Sequence, residues 1–309
     1  MSLAGSASAE SFDARVLAGY GRNHVVGDDS GRRYVAVRRG KRGDVAVGDR
    51  VRCAPAGEGQ AVIEERLPRA SLLYRADAWR SKELAANVDL VAVVCAARPA
   101  FNLYFLWRTL LAASVADLPS LVILNKTDLA GADVDAARSE LERLRALGHA
   151  GVAVAAKADP AGTLAALRPH VDGRTTLLVG QSGMGKSSLL NLLVPEANAR
   201  TAEYSMRLNL GKQTTTASRW FETADGAVVD TPGFQSFGLA HVPLEQIAAH
   251  LPDFAPHLAC RFLDCRHDEE PGCGVRAAVA AGNIDPRRYA FYRELAREAR
   301  SFRSPGERR

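Results

Sequence analysis

The sequence lacks a long hydrophobic segment. Its longest apolar stretch, Val88 to Ala97, is interrupted by Asp89 and is far shorter than the roughly 20 residues that a membrane-spanning helix needs. Residues 1–15 also lack the apolar core of a secretory signal peptide. These absences argue against a membrane partner and predict a cytoplasmic protein.

Cysteine and lysine are both scarce. The chain has five cysteines, an odd number, and Cys53 and Cys95 lie in apolar segments, so a disulfide framework is excluded. Of 40 basic residues only six are lysines. Because arginine cannot replace lysine where a compact ammonium group is needed, the retained lysines mark candidate functional positions. The net charge of +5 mildly favours anionic partners such as nucleic acid.

The N-terminal part alternates short apolar runs with glycine-rich turns. Runs near residues 15–17, 33–37, 49–53 and 60–63 are typical of short strands. They predict an OB-type β-barrel over residues 1–70. Residues 32–42 carry six basic side chains and no acid. This stretch is either a phosphate-contacting face or an edge strand protected by charge.

From Asn87 onward the pattern changes to alternating strands and helices, which predicts a doubly wound α/β domain over residues 71–240. Predicted strands cover 88–95, 120–124, 152–155, 175–179 and 216–221, and predicted helices cover 102–116, 133–147 and 163–170. Residues 241–309 form a third region, whose end at 286–309 is arginine-rich and helical in pattern.

A complete phosphate-loop motif, G-x-x-x-x-G-K-S, lies between a predicted strand and a predicted helix. Its glycines allow backbone N–H groups to face phosphates, and the helix N-terminus adds a favourable dipole. Lys186 would reach the β- and γ-phosphates, and Ser187 would bind Mg²⁺. The predicted phosphate-binding residues are Gly180, Gln181, Ser182, Gly183, Met184, Gly185, Lys186, Ser187 and Ser188.

A second motif, N-K-x-D, selects the base. Asn125, Lys126 and Asp128 follow a buried strand, and the Asp128 carboxylate can accept from the N1–H and N2 amino groups of guanine. Adenine offers no such donor pair, so the site would reject it. Ala156 and Lys157 follow the next strand and resemble the S-A-K loop of GTPases, which also contacts the base.

The D-x-x-G element of GTPases is matched by Asp230 to Gly233. Asp230 would hold Mg²⁺ through water, and the N–H of Gly233 would sense the γ-phosphate. The Thr214–Thr216 run precedes it, and a threonine from this interval is expected as a second Mg²⁺ ligand.

These motifs occur in circularly permuted order. Ordinary GTPases carry the phosphate loop first, whereas here N-K-x-D precedes it. The same sheet is preserved if the former last strand is joined to the former first strand. The D-x-x-G element then leads directly into the C-terminal region.

That region contains the pattern C-x₄-C-x-H-x₅-C within 14 residues. Three cysteines and one histidine suit a tetrahedral Zn²⁺ ion, and a closed ligand set predicts a structural site. The predicted zinc ligands are Cys260, Cys265, His267 and Cys273.

Together the sequence resembles the ribosome small subunit-dependent GTPase A (RsgA/YjeQ) family. The resemblance covers nearly the whole chain, including an Arg66-x-x-Arg69-x-Ser71 linker, the G-Q-S-G-x-G-K-S-S-L loop and the zinc pattern. It implies an OB barrel, a permuted GTPase domain with GTP or GDP and Mg²⁺, and a zinc-binding helical domain. It also implies binding to the small (30S) ribosomal subunit and its rRNA, late subunit maturation, and GTP hydrolysis stimulated by the subunit.

By position, Thr215 matches the family's Mg²⁺-linked threonine. The family usually carries a catalytic histidine just before T-T-T, whereas this chain has Gln213, and the position after D-x-x-G is Phe234. Glutamine can orient a water molecule but cannot act as a general base as histidine does. We therefore expect Gln213 to position water, with Lys186 and Thr215 as the other catalytic residues.

Two other interpretations stay open at this stage. The chain could be a GTP-gated RNA- or ribosome-binding module with negligible turnover, which subunit-stimulated hydrolysis would exclude. A phosphate-loop ATPase or kinase is opposed by Asn125 and Asp128. We expect a monomer in solution.

Overall fold

A computed structural model describes residues 10–38, 45–76, 81–208 and 218–301. Its N-terminal strands form a closed barrel. Strand β1 pairs with β2 and β4, β2 with β3, β3 with β5, and β5 with β4. The barrel encloses its own apolar cluster, which includes Val16, Val51 and Ile63. The strands are β1 (Phe12–Tyr20), β2 (Asn23–Asp28), β3 (Arg33–Arg38), β4 (Arg50–Gly57) and β5 (Gln60–Arg66).

An antiparallel strand pair links the barrel to an α/β sheet. It consists of β6 (Leu72–Ala76) and β7 (Ser81–Ala86). The sheet that follows has the order β10-β9-β8-β11-β13-β12, in which only β12 is antiparallel among the described strands. Its strands are β8 (Leu90–Ala96), β9 (Ser120–Asn125), β10 (Ala150–Ala153), β11 (Thr175–Val179), β12 (Arg219–Glu222) and β13 (Ala227–Asp230).

Helices connect the parallel strands. They are α1 (Leu103–Val115), α2 (Ala132–Ala146), α3 (Pro160–Val171), α4 (Lys186–Leu193) and α5 (Ala197–Arg207). Every residue of β8 is buried, as expected for a strand covered on both faces. The start of α1 is fixed by Asn102, whose side chain accepts from the N–H groups of Tyr104 and Phe105. The parallel order brings the carboxyl ends of β8, β9, β11 and β13 to one edge of the sheet, where ligand sites of this fold class lie.

The barrel is joined directly to the sheet. Strand β1 pairs with β12 at Ala18 and Arg219, and the Arg15 guanidinium lies 4.4 Å from the Trp220 ring centroid. Arg33 on β3 forms an ion pair with Glu203 on α5. Strand β12 and helix α5 therefore both contact the barrel.

The C-terminal region packs against α1. It contains α6 (Leu244–Ile247), α7 (Gly274–Ala280) and α8 (Pro286–Ser301). The Arg108 side chain is 9% exposed, and its ion pairs with Glu294 and Glu298 measure 2.9 and 2.6 Å. The aromatic rings of Trp107 and Phe291 meet edge to face at 5.4 Å.

The predicted fold class is confirmed: a barrel precedes a permuted α/β sheet, and a Cys₃His cluster lies near the C-terminus. The predicted strand at 175–179 matches β11. The sequence reading missed β2, the β6–β7 pair and α5. The strand predicted from residue 216 is described as β12 from Arg219 to Glu222. Boundaries at 70 and 240 stay a prediction.

Candidate functional site

The carboxyl edge of the sheet carries an open pocket of about 680 Å³. Most of the predicted nucleotide-binding residues meet in it, although they are far apart in the chain. The lining residues are Asn125, Lys126, Asp128, Leu129, Ala156, Lys157, Gln181, Ser182, Gly183, Gly185, Lys186, Ser187, Ser188 and Gly233. Of the other predicted positions, Met184 is buried at 2% exposure, Gly180 directly follows β11, and Asp230 ends β13.

The phosphate loop needs glycine at these positions because neighbouring atoms leave no room for a side chain and because two of the φ angles are positive. An added Cβ at Gly180 would lie 2.5 Å from the Val94 carbonyl oxygen, and one at Gly185 would lie 2.2 Å from Asn125 Nδ2. Gly183 and Gly185 have φ angles of +82° and +96°, a region that disfavours other residues. The loop therefore folds back tightly, and α4 begins at Lys186 with its N-terminus facing the pocket.

Lys186 lies deep in this loop. Its side chain is 9% exposed, and Nζ donates to the Gly180 carbonyl oxygen at 3.0 Å. Burial lowers its pKa, while the charge of Asp230 acts in the opposite direction. The ammonium is thus held at the centre of the loop, as phosphate binding requires.

Asp230 ends β13 beside this lysine. Burial raises its pKa to about 6, against the opposing charges of Lys186 and Arg219. Its Oδ1 atom is buried and accepts no hydrogen bond from the described residues. A buried carboxylate oxygen without a partner is costly, and a hydrated cation would satisfy it. The next residue, Thr231, is fixed by a 2.8 Å hydrogen bond to the Leu178 carbonyl.

The base-recognition motif is tied to the phosphate loop by Asn125. Its Nδ2 donates to the Met184 carbonyl oxygen at 3.1 Å, and its Oδ1 accepts from the Ala156 N–H at 3.1 Å. This side chain, 3% exposed, joins three sequence motifs by using both ends of its amide. Asn125 therefore holds the phosphate loop and the Ala156 loop in place relative to the base-recognition motif.

Lys126 crosses the pocket floor. Its φ angle is +62°, and Nζ donates to the carbonyl oxygens of Gly183 at 2.7 Å and Arg98 at 2.8 Å. The stem of this side chain is thereby held extended between the base motif and the phosphate loop. Asp128, two residues further along the chain, also lines the pocket.

Sequence reasoning missed the segment that follows β8. Its Arg98 carbonyl binds Lys126, and an added Cβ at Gly183 would meet Pro99 Cγ at 3.0 Å. The Arg98 side chain is fixed by Asp133, with hydrogen bonds of 2.6 and 2.7 Å. Its position just after a buried parallel strand, at the edge that carries the other motifs, is the signal that could have found it.

The position after D-x-x-G is packed rather than exposed to the pocket. The Phe234 ring contacts Phe105 and Phe237 at 5.6 and 5.8 Å between centroids, and the Arg75 guanidinium lies 4.9 Å from it. This apolar side chain cannot orient water. The predicted Gln213 and Thr215 lie outside the described residues.

The four predicted zinc ligands come together. Their ligand atoms all lie within 4.8 Å of one another. The Sγ atoms of Cys260 and Cys273 are 4.0 Å apart, and each lies 3.5 Å from His267 Nδ1. A tetrahedral zinc ion with its usual bond lengths requires edges of about 3.8 Å between sulfurs and about 3.5 Å between sulfur and nitrogen. The geometry therefore fits zinc.

The surrounding backbone supports these ligands. The Gly274 N–H donates to Cys260 Sγ at 3.3 Å, and the Arg276 N–H donates to Cys273 Sγ at 3.4 Å. Tyr289 on α8 donates its hydroxyl to the His267 carbonyl at 2.7 Å. Such outer contacts fix ligand orientation, and here they connect the cluster to α8.

A phosphate loop and an N-K-x-D motif that share one pocket, on a sheet whose strands are circularly permuted, define a permuted GTP-binding protein of the GTPase class. The RsgA GTPase family model matches residues 66–240. The chain belongs to this family, whose members are GTP hydrolases.

Relatives agree with this assignment over nearly the whole length. The chain is 46% identical over 294 residues to the small ribosomal subunit biogenesis GTPase RsgA of Bordetella pertussis, covering 94% of this chain and 97% of that protein. It is 46% identical over 292 residues to the protein of the same name from Paraburkholderia phytofirmans, covering 92% of each.

Solved structures show the same fold. YjeQ from Thermotoga maritima superposes with a TM-score of 0.72 at 30% identity, covering 95% of this chain and 100% of that one. YloQ, described as a circularly permuted GTPase, gives 0.68 at 25% identity and covers 98% and 99%. Within the part of the chain that the structure describes, no helix combines the length and apolar character needed to cross a membrane.

Proposed function

We propose that this protein hydrolyses GTP in connection with the maturation of the small ribosomal subunit, which stimulates its hydrolysis. The observation that carries the proposal is the Asn125 side chain, which binds both the phosphate loop and the Ala156 loop. It links base recognition to phosphate binding in one pocket. The names of the relatives supply the ribosomal partner.

In this proposal each motif has a defined role. Asp128 accepts from guanine, Lys126 packs along the base and ribose, and Ala156 and Lys157 contact the base side. The loop N–H groups and Lys186 bind the phosphates. Ser187 and Thr215 would hold Mg²⁺, with Asp230 acting through water, and the ion neutralises charge on the phosphates.

Hydrolysis then depends on water positioning by Gln213. Phe234 lies among Phe105 and Phe237, so no polar side chain is supplied at the place after D-x-x-G. We propose Gln213 for this role, together with Lys186 and the ribosomal subunit. The cluster of Cys260, Cys265, His267 and Cys273 would hold one Zn²⁺ as a structural ion.

Two basic surfaces would contact rRNA. On α8, Arg293, Arg297 and Arg300 have exposed side chains, and two of them, Arg293 and Arg300, also pair with Asp268. On β3, however, Arg33 is half-buried in its ion pair with Glu203, so it contributes less than the sequence pattern predicts. We expect subunit binding to weaken as salt rises. The protein would act as a cytoplasmic monomer, with a barrel at 1–70, a GTPase domain at 71–240 and a zinc domain at 241–309.

The test is GTP hydrolysis by the full chain with and without purified 30S subunits. Lys186→Ala should abolish turnover, because the buried ammonium at the phosphate loop is lost, whereas Lys82→Ala on β7 should not. Gln213→Ala should lower the stimulated rate. If 30S subunits do not stimulate hydrolysis by the wild type, the proposal is contradicted.

A second function, a GTP-gated binding module with negligible turnover, is favoured by one observation. This chain has Gln213 where the family usually has histidine. Nucleotide-dependent binding to the subunit without hydrolysis would identify it. Competition by ATP for labelled GDP would instead indicate an ATPase, against the expectation from Asp128.

A further inference from the structure

Gln181, the second residue of the phosphate loop, lines the pocket, and its side-chain amide is bound to two other segments of the domain. Gln181 is 8% exposed, and its Oε1 accepts from the Asn102 N–H at 2.7 Å. A backbone N–H can only donate, so this bond fixes which end of the amide is oxygen. The Nε2 group then faces Gln235, 3.2 Å from Oε1 and 3.5 Å from the carbonyl oxygen.

The two partners of Gln181 belong to different parts of the GTPase domain. Asn102 begins α1 and accepts from the N–H groups of its first turn. Gln235 lies two residues after Gly233, at the rim of a separate cavity between α1 and α8. The Gln181 side chain therefore joins the phosphate loop to a helix start and to the chain that follows D-x-x-G.

Gly233 lies directly against the same loop. An added Cβ there would meet Ser182 N at 3.3 Å and Lys186 Nζ at 3.4 Å. Between Gly233 and Gln235, the Phe234 ring packs on Phe105 of α1. Residues 233–235 are thus held by a backbone approach, an aromatic contact and the amide of Gln181.

We infer that Gln181 is a positioning residue that places the Gly233 N–H for the γ-phosphate. The inference rests on the proposed GTPase function. GDP lacks the γ-phosphate and gains nothing from Gly233, so loss of the Gln181–Gln235 contact weakens GTP binding and hydrolysis selectively. A residue that merely shapes the loop would affect both nucleotides alike.

The test compares Gln181→Ala, Gln235→Ala and the double variant, with Gln246→Ala as control. Gln246 is an exposed glutamine on α6. Gln235→Ala removes the shorter, side-chain contact and leaves the backbone carbonyl in place. Because Gln235 is exposed and lies outside the phosphate loop, this variant can be measured even if Gln181→Ala folds poorly. Gln235→Glu keeps an acceptor for Gln181 Nε2 and should restore wild-type behaviour.

The readouts are Kd for GDP, Kd for a non-hydrolysable GTP analogue, and kcat. One buried neutral hydrogen bond predicts about a three- to tenfold weaker affinity for the analogue and a comparable fall in kcat. GDP affinity should stay within about twofold, and the double variant should be no worse than Gln181→Ala.

The inference would be overturned by equal losses of affinity for GDP and for the GTP analogue, or by additive effects in the double variant. It would also be overturned if Gln235→Ala lost no affinity for the analogue. A wild-type protein without turnover would contradict the proposed function instead. The comparison of affinities would still decide the role of Gln181, because it needs no hydrolysis.

Discussion

Replacement of Gly185 by alanine provides a quantitative test of the pocket. The new Cβ would lie 2.2 Å from Asn125 Nδ2, so Asn125 or the loop must move by more than 1 Å to reach ordinary contact, roughly 3.4 Å or more. Asn125 is buried and makes hydrogen bonds to Met184 and Ala156. Its displacement would break both.

The matched control is Gly148→Ala. Gly148 has a φ angle of +90°, close to the +96° of Gly185, and nothing lies within 4 Å of its added Cβ. Both variants carry the backbone strain of about 1–2 kcal/mol, but only Gly185→Ala meets Asn125. Loss of two hydrogen bonds in a buried site adds about 2–4 kcal/mol.

The assays are a fluorescent-GDP titration and urea unfolding without nucleotide. The free protein can relax its loop, so most of the added cost should appear as weaker binding, about 30- to 900-fold if all of it does. Any remainder should appear as a lower free energy of unfolding. For each variant the loss of binding free energy and the loss of unfolding free energy are added. If the sum for Gly185→Ala equals that for Gly148→Ala, the role of Asn125 in joining the motifs is refuted.

Three further predictions follow from the structure. Burial raises the pKa of Asp230 to about 6, so the folded protein binds more protons than the unfolded chain between about pH 4 and 6, and stability falls as pH rises through that window. In nucleotide-free protein without Mg²⁺, Asp230→Asn should therefore gain stability over wild type across this window, by up to about 3 kcal/mol, and parallel urea-unfolding profiles would contradict the expectation. Cys260→Ser should lose one equivalent of zinc in a colorimetric assay and lower the unfolding midpoint, whereas Cys95→Ala should keep the metal; retention by both would exclude the proposed ligand set. Wild type should bind inosine diphosphate, which lacks the N2 amino group, about ten- to a hundredfold more weakly than GDP; this gap should vanish in Asp128→Ala, and its persistence would assign base recognition elsewhere.

The local motifs were readable from the sequence because their chemistry depends on adjacent residues. A phosphate loop needs closely spaced glycines before a lysine, and a zinc site needs four ligands in a short span. Both patterns lie in short stretches of the chain, so Lys186 and the individual ligands of the cluster around His267 could be identified from the sequence. Strand and helix patterns are also local, so the elements of the sheet could be located. The order of the motifs along the chain then predicted that the sheet is permuted.

Contacts between distant segments could be decided only by the tertiary structure. The contact of Gln181 with Gln235 spans 54 positions, and no local pattern encodes it. The contacts of Arg98 with Lys126 and of Pro99 with Gly183 depend on which strands are neighbours in the sheet. The ion pair of Arg33 with Glu203 depends on how α5 meets the barrel, and it removed a cation from the predicted basic surface. Sequence thus determined which groups are present, whereas packing decided which of them meet, because each contact requires a specific approach of separate elements.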